Sequence, residues 1–244
     1  MTAPSISRRA LLASAASIVV SSVSANARIV TGAMPWSPSA ANPPSPWRPG
    51  PWQFFTADEA ATVEAAVDRL IPPDERGAGG KDAGCAVFID RQLAGPYGQA
   101  EGLYMRPPFM AGAATQGNQS PDAPAALYRA GLRSLAEHVK ANFAGASFAA
   151  LSPQDQDSVL AGLEKGSIEL KGVSSADFFN LLLQNTQEGY FADPIYGGNR
   201  DMAGWKLVGF PGTRYDYRDW VERHNEPYPL APVAITGRPD WTVR

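Results

Sequence analysis

Apolar positions in this chain recur mostly at helical spacing. Ala60, Val63, Val67, Leu70 and Ile71 fall three or four residues apart, the stripe that one face of an amphipathic helix buries. Thr56 stands at the N-cap position with Glu59 in the reciprocal place of a capping box, and Pro72-Pro73 ends the run. A shorter apolar segment predicts a second helix over residues 86–93. Leu127, Tyr128, Leu132, Leu135, Val139 and Phe143 predict a third over residues 123–143, with Ser120-Pro121 supplying N-cap and first-turn chemistry. Ser152-Pro153 with Asp155 opens a fourth, which carries Val159, Leu160 and Leu163. Ser174 with Asp177 opens a fifth, whose Phe178, Phe179, Leu181, Leu182 and Leu183 call for burial on more than one side. No stretch sustains an alternation of β-branched and polar residues. The expected fold is mainly α: a single compact helical domain with long irregular loops and proline-rich N- and C-terminal arms.

Between the helices the chain is irregular, but not uniformly polar. Residues 74–84 are glycine-rich and read as a turn or loop. Residues 96–119 form a longer passage containing Tyr97, Tyr104, Met105, Phe109 and Met110. Structureless loops beyond about 12–15 residues are uncommon without a specific job, so this one covers the domain's own core or meets another subunit. Seven prolines between residues 31 and 53 predict an extended arm. Its Trp36, Trp47 and Trp52 are costly to leave in water, so the arm is either a spacer or a strap along its own domain or a partner. Beyond Trp220, Pro227, Pro229, Pro232 and Pro239 make a second arm that ends near Trp241. The domain boundaries expected are 28–53 for the first arm, 54–224 for the helical body and 225–244 for the second arm.

Residues 1–27 have a different composition. Arg8 and Arg9 precede a weakly apolar run over residues 11–23, and Ala25-Asn26-Ala27 is a small-x-small cleavage site that predicts a mature start at Arg28. The adjacent arginines after Ser7, with the modest hydrophobicity of the run, point to the twin-arginine route, which exports folded proteins to the periplasm. Its 13 apolar-run residues fall short of the roughly 20 that span a bilayer.

Loss of Arg8 and Arg9 lowers the 21 basic residues to 19 against 24 acidic ones, so the mature chain is acidic. No basic stripe is available to neutralise phosphates, which argues against nucleic acid as a partner. Cys85 is the single cysteine; an internal disulfide, a Cys-x-x-Cys-His haem attachment and a cysteine-held iron-sulfur cluster are excluded in this chain. Its small apolar neighbours suggest a buried site near a helix start rather than an activated thiolate.

Candidate chemistry is sparse. His138 has neither a second histidine nor the zinc-protease spacing. His224 lies beside Glu222, Arg223, Asn225 and Glu226, where it would serve either as the general base of an independent periplasmic hydrolase or in a salt-bridge and interface network. Neither a Gly-x-Ser-x-Gly nucleophile turn nor a Gly-x-Gly-x-x-Gly dinucleotide fingerprint is present. The expected set of catalytic, cofactor-binding and metal-binding residues is therefore empty. Asp155 and Asp157 sit at a helix start, where they favour the dipole.

The most distinctive internal stretch is Asp193-Pro194-Ile195-Tyr196-Gly197-Gly198-Asn199-Arg200-Asp201, continuing through Gly204-Trp205 to Gly209-Phe210-Pro211-Gly212. Gly197-Gly198 predicts a tight turn, and Asp201 a cap for a short helix containing Trp205; Gly204 and Gly209 would permit close backbone approach. Three readings stand beside each other: a packed turn-helix-turn at the core's edge, a glycine-rich anion site, and a partner-docking element.

These residues, with Ser7-Arg8-Arg9 and the run from Phe54-Phe55-Thr56 to Arg69-Leu70-Ile71-Pro72, resemble the gluconate 2-dehydrogenase subunit 3 family. The resemblance implies the small or gamma subunit of a heterotrimer. Its large subunit is a flavoprotein of the glucose-methanol-choline type holding FAD, sometimes with an iron-sulfur cluster. A multihaem cytochrome c subunit with haem c passes electrons toward ubiquinone at the periplasmic face of the inner membrane. The small subunit would hold no redox centre, would touch the membrane only through the complex, and would assist maturation and co-export of the large one. Expected contacts to partners are Trp36, Trp47, Trp52, Tyr104, Phe109, Tyr196, Arg200, Trp205, Phe210 and Trp241.

Overall fold

Helix α1, Ala57–Leu70, starts as its sequence requires. In the computed structural model, which describes residues 48–110, 112–113, 121–214 and 216–236, the Thr56 hydroxyl accepts the Glu59 N–H and the Glu59 carboxylate accepts the Thr56 N–H. All described residues lie in one unit, Ser37–Arg244. Arg8, Arg9, Trp36, Trp47 and Trp241 lie outside them. After α1 come α2 (Cys85–Ala94), α3 (Pro124–Asn142), α4 (Pro153–Glu164), α5 (Ser175–Phe191) and α6 (Ala203–Val208). Ser152 and Ser174 accept the N–H of Asp155 and Asp177, as the sequence predicts for the starts of α4 and α5.

One start differs from expectation. Helix α3 begins at Pro124 with Ala123 as its N-cap, rather than at Ser120-Pro121. A helix opened at Pro121 would carry Pro124 into the fourth helical position, where a backbone N–H is needed for the first intrahelical bond. Moved to the first turn, the same proline costs no bond.

The fold is helical, with no strand among the described residues; only the isolated bridges Asp74 to Gly77 and Gly212 to Val233 occur. Helix α5 is the central element and packs against each of the other five. Phe178 and Leu182 on α5 are sealed among Val67 of α1, Ile89 of α2, Tyr128 of α3 and Leu163 of α4. Burial of each such side chain is worth about 1.5–3 kcal/mol, which favours this one arrangement over exposed helices. A bidentate pair from Arg69 to Asp157, at 2.7 Å through both guanidinium nitrogens, ties α1 to α4 on the surface. No described helix is long and apolar enough to cross a membrane.

Two carboxylates inside the helical framework hold the chain on either side of it. Asp90, fully buried on α2, accepts the N–H groups of Gln53, Phe54 and Phe55, each at 2.9 Å. Arg129 of α3 completes this clasp by donating to the Glu59 carboxylate and the Phe54 carbonyl, with its guanidinium 3.9 Å above the Phe54 ring. Asp193, at the end of α5, accepts the Ile235 N–H at 2.8 Å. Val233 is fully buried, and its carbonyl accepts the Thr213 N–H at 2.7 Å. Beyond residue 224 the described residues, which end at 236, thus meet the body at Val233 and Ile235.

Candidate docking face

The stretch from Asp193 to Gly212 closes the C-terminal end of α5, where the last carbonyls of a helix have no partner within it. Asn199 is fully buried with φ 45°; its amide donates to the Ala192 carbonyl at 2.7 Å and accepts the Gly204 N–H at 2.9 Å. The Trp205 indole donates to the Phe191 carbonyl at 2.7 Å. Asp193 accepts the Ile195 N–H at 3.0 Å through the oxygen that Ile235 does not use. The Arg200 N–H reaches back to the Ala83 carbonyl at 3.0 Å, and the Tyr190 hydroxyl to the Ala78 carbonyl at 2.8 Å.

Glycine is required where backbone meets backbone. A Cβ on Gly198 would stand 2.2 Å from the Gly189 carbonyl oxygen, and one on Gly204 would stand 2.1 Å from that of Tyr190. Gly209 does not share this function: no atom lies within 4 Å of its Cβ position, and its φ of 70° instead provides the left-handed cap of α6. Asp201 is not the cap of α6 either. It takes a positive φ of 54°, and Asn199 satisfies the Gly204 N–H in its place.

Above this cap the surface is apolar. Phe191 is 43% exposed and Tyr196 51% exposed, and with Phe88, Gln92, Glu188, Ala192 and Asp193 they line an open depression of about 550 Å³ between α2 and α5. Leu207 and Val208 on α6 and Phe210 just beyond it are exposed as well. Phe210 stacks edge-on against Trp205 with ring centroids 5.1 Å apart, so an interior ring fixes a surface one. A second apolar stretch lies on the loop after α2, with Leu103, Tyr104, Phe109 and Met110 exposed.

The residues expected to contact partners therefore divide. Tyr104, Phe109, Tyr196 and Phe210 are exposed, Tyr104 by 84%. Trp205 faces inward at 5% exposure, because its indole N–H is spent on Phe191. Trp52 packs on the core and meets the Phe55 ring edge-on at 6.3 Å between centroids. Arg200 is half-buried against Gly84, whose Cβ would come within 2.6 Å of its Nε. Phe191, Glu188, Phe88, Leu207 and Val208 join this surface without a sequence signal beyond the placement of Glu188 and Phe191 three residues apart on one helix.

The remaining candidates for chemistry are dispersed. Cys85 is fully buried at the first residue of α2, and burial pushes its thiol up to about 12 in spite of the charge on Arg200. His138 is half-buried on α3, while His224 is exposed in a turn where Arg223 approaches Glu226 at 4.0 Å. Tyr128 and Tyr97 converge on Asn185, with Tyr128 donating to the Asn185 carbonyl at 3.0 Å and the Asn185 amide donating to Tyr97 at 2.9 Å. Burial holds both hydroxyls protonated above the ordinary tyrosine range. Among the described residues, no group of three or more histidine, cysteine or carboxylate side chains is placed to hold a metal ion.

Comparison with curated proteins and with solved structures gave no match. The family model for gluconate 2-dehydrogenase subunit 3 matches residues 57–212. That span begins with the first residue of α1 and ends where Gly212 meets Val233, so it takes in the six helices, both clasping carboxylates and the cap of α5. The chain belongs to the gluconate 2-dehydrogenase subunit 3 family.

Proposed function

We propose that this chain is a non-catalytic subunit that binds, stabilises and helps to export the FAD-holding flavoprotein of a sugar or polyol dehydrogenase complex. Its family is that of a dehydrogenase subunit. The observation that carries the reading is the exposed apolar surface of Phe191, Tyr196 and Phe210 on a hydrogen-bonded backbone cap, with Phe191 and Phe210 held edge-on against Tyr190 and Trp205. Rigid aromatic anchors lose little conformational freedom on docking, and such residues dominate the energetics of protein interfaces.

Binding of this face to the folded flavoprotein stabilises that state by mass action, by about 2.7 kcal/mol at a hundredfold excess over the dissociation constant. Arg8 and Arg9 would then address both proteins to the twin-arginine route, and electrons from the oxidised sugar would pass through a multihaem cytochrome c at the periplasmic face of the inner membrane. The sugar is selected by the large subunit.

Co-expression of the tagged chain with its untagged flavoprotein tests the proposal. The expected result is a co-purifying large subunit with a bound-flavin absorption spectrum. Recovery of the chain alone, with an active and stable flavoprotein left in the unbound fraction, would overturn it.

A further inference from the structure

Two carboxylates line the depression between α2 and α5, where an apolar contact needs neither: Asp193 is buried and spent on the Ile195 and Ile235 N–H groups, whereas Glu188 is exposed. Glu188 lies one turn before Phe191 on α5 and faces Phe88 and Gln92 of α2 across the depression. Its carboxylate accepts the Gln184 amide at 2.8 Å and the Asn185 amide at 2.9 Å. Both donors are neutral, so they aim the group without cancelling its charge. Among the described residues Glu188 joins no salt bridge. Arg91, the arginine next to Gln92 on α2, is committed to Asp90 and to the Pro51 carbonyl.

A purely apolar partner would strip water from this carboxylate and supply nothing in return, at a cost of several kcal/mol. A lysine or arginine supplies both halves of what is needed. Its aliphatic stem lies along aromatic rings while its head meets the carboxylate, and the ring faces themselves attract a cation. We infer that this depression receives a basic side chain from the large subunit, seated against the exposed rings of Phe191 and Tyr196 and paired with Glu188. The inference rests on the subunit reading above and adds to it the chemistry of the partner.

The test is the affinity of the purified full chain for the separately purified large subunit, measured across a series of salt concentrations. Glu188→Gln keeps the shape and removes the charge; the expected result is an affinity about tenfold weaker and a flatter salt dependence, while Glu188→Lys weakens binding about a hundredfold. Tyr196→Ala, which leaves the carboxylate in place, should weaken binding yet retain the wild-type salt slope. An unchanged melting temperature for each variant establishes that binding and not folding was altered.

Equal affinity and equal salt slope for wild type and Glu188→Gln would overturn the inference while leaving the subunit reading intact. So would a Glu188-dependent dimer of the isolated chain, which would make a second copy the occupant. Absence of any binding by the wild-type chain would overturn the subunit reading itself and the inference with it.

Discussion

The Trp205 indole N–H donates to the carbonyl of Phe191 at 2.7 Å, joining a buried residue of α6 to a surface-facing residue at the end of α5. This bond relates the interior of the molecule to its candidate docking face. The glycines and amides of the Asp193 to Gly212 stretch shape the cap, which fixes the backbone that carries Phe191, Tyr196 and Phe210. Polar groups that resemble a site in the sequence thus act mainly on backbone.

Asn199→Ala removes both bonds of the buried amide and leaves the Gly204 N–H and the Ala192 carbonyl without them. It also places alanine at a φ of 45°. The expected loss is about 2–4 kcal/mol of stability, measured by chemical denaturation. A loss below about 0.5 kcal/mol would show that water replaces the amide at no cost.

Asp90→Ala should release residues 53–55 while the helices persist, since three backbone N–H groups lose their acceptor together. Hydrogen exchange at Phe54 and Phe55 is expected to rise by at least about tenfold over that of amides in the middle of α5. Parallel acceleration in α5 would instead make Asp90 a determinant of the whole fold.

Acid weakens the clasp on the other side of the same segment. Burial by itself would raise the Glu59 carboxyl, but the Arg129 guanidinium and the Thr56 N–H outweigh it and hold the group below its ordinary 4.5. A depressed carboxyl contributes stability that is complete above its unfolded value and is lost as pH falls through the folded one. The melting-temperature gap between wild type and Arg129→Met should therefore be largest near neutrality and should narrow below about pH 4.5. A gap independent of pH would locate the arginine's contribution in its stacking on Phe54.

Surface and interior rings should behave oppositely. Phe210→Ser and Tyr196→Ser are expected to change stability by no more than about 1 kcal/mol, whereas Trp205→Ala should cost about 3–5 kcal/mol because it opens a cavity and strands the Phe191 carbonyl. Thermal denaturation distinguishes them, and a large loss at Tyr196 would assign that ring to the core.

Local chemistry explains what could be read from the sequence. Thr56, Ser152 and Ser174 cap their helices within three residues of themselves, and the apolar stripes of α1 and α3 follow the helical period. The mostly helical fold and the packed nature of Cys85 were accessible for this reason. Contacts across long sequence separations were not. Asp90 reaches residues more than 30 positions away, although a lone carboxylate beside Ile89 and near Leu93 was a signal that buried donors must exist for it. Asn199 and Asp201 are both cap-forming residue types, and only the backbone path shows that Asn199 serves Gly204. Trp205 and Phe210 are likewise equivalent as sequence, five residues apart in an aromatic stretch. Their difference arises when α6 turns its tryptophan under the end of α5 and the chain leaves the helix at Gly209, before Phe210.

The account is tested most directly by the periplasmic amount of the large subunit when Arg8 and Arg9 are both replaced by lysine. The flavoprotein is expected to be synthesised at its normal level, to remain in the cytoplasm, and to return to the periplasm when the wild-type chain is supplied in trans. Full periplasmic delivery of the flavoprotein alongside the lysine variant would contradict it.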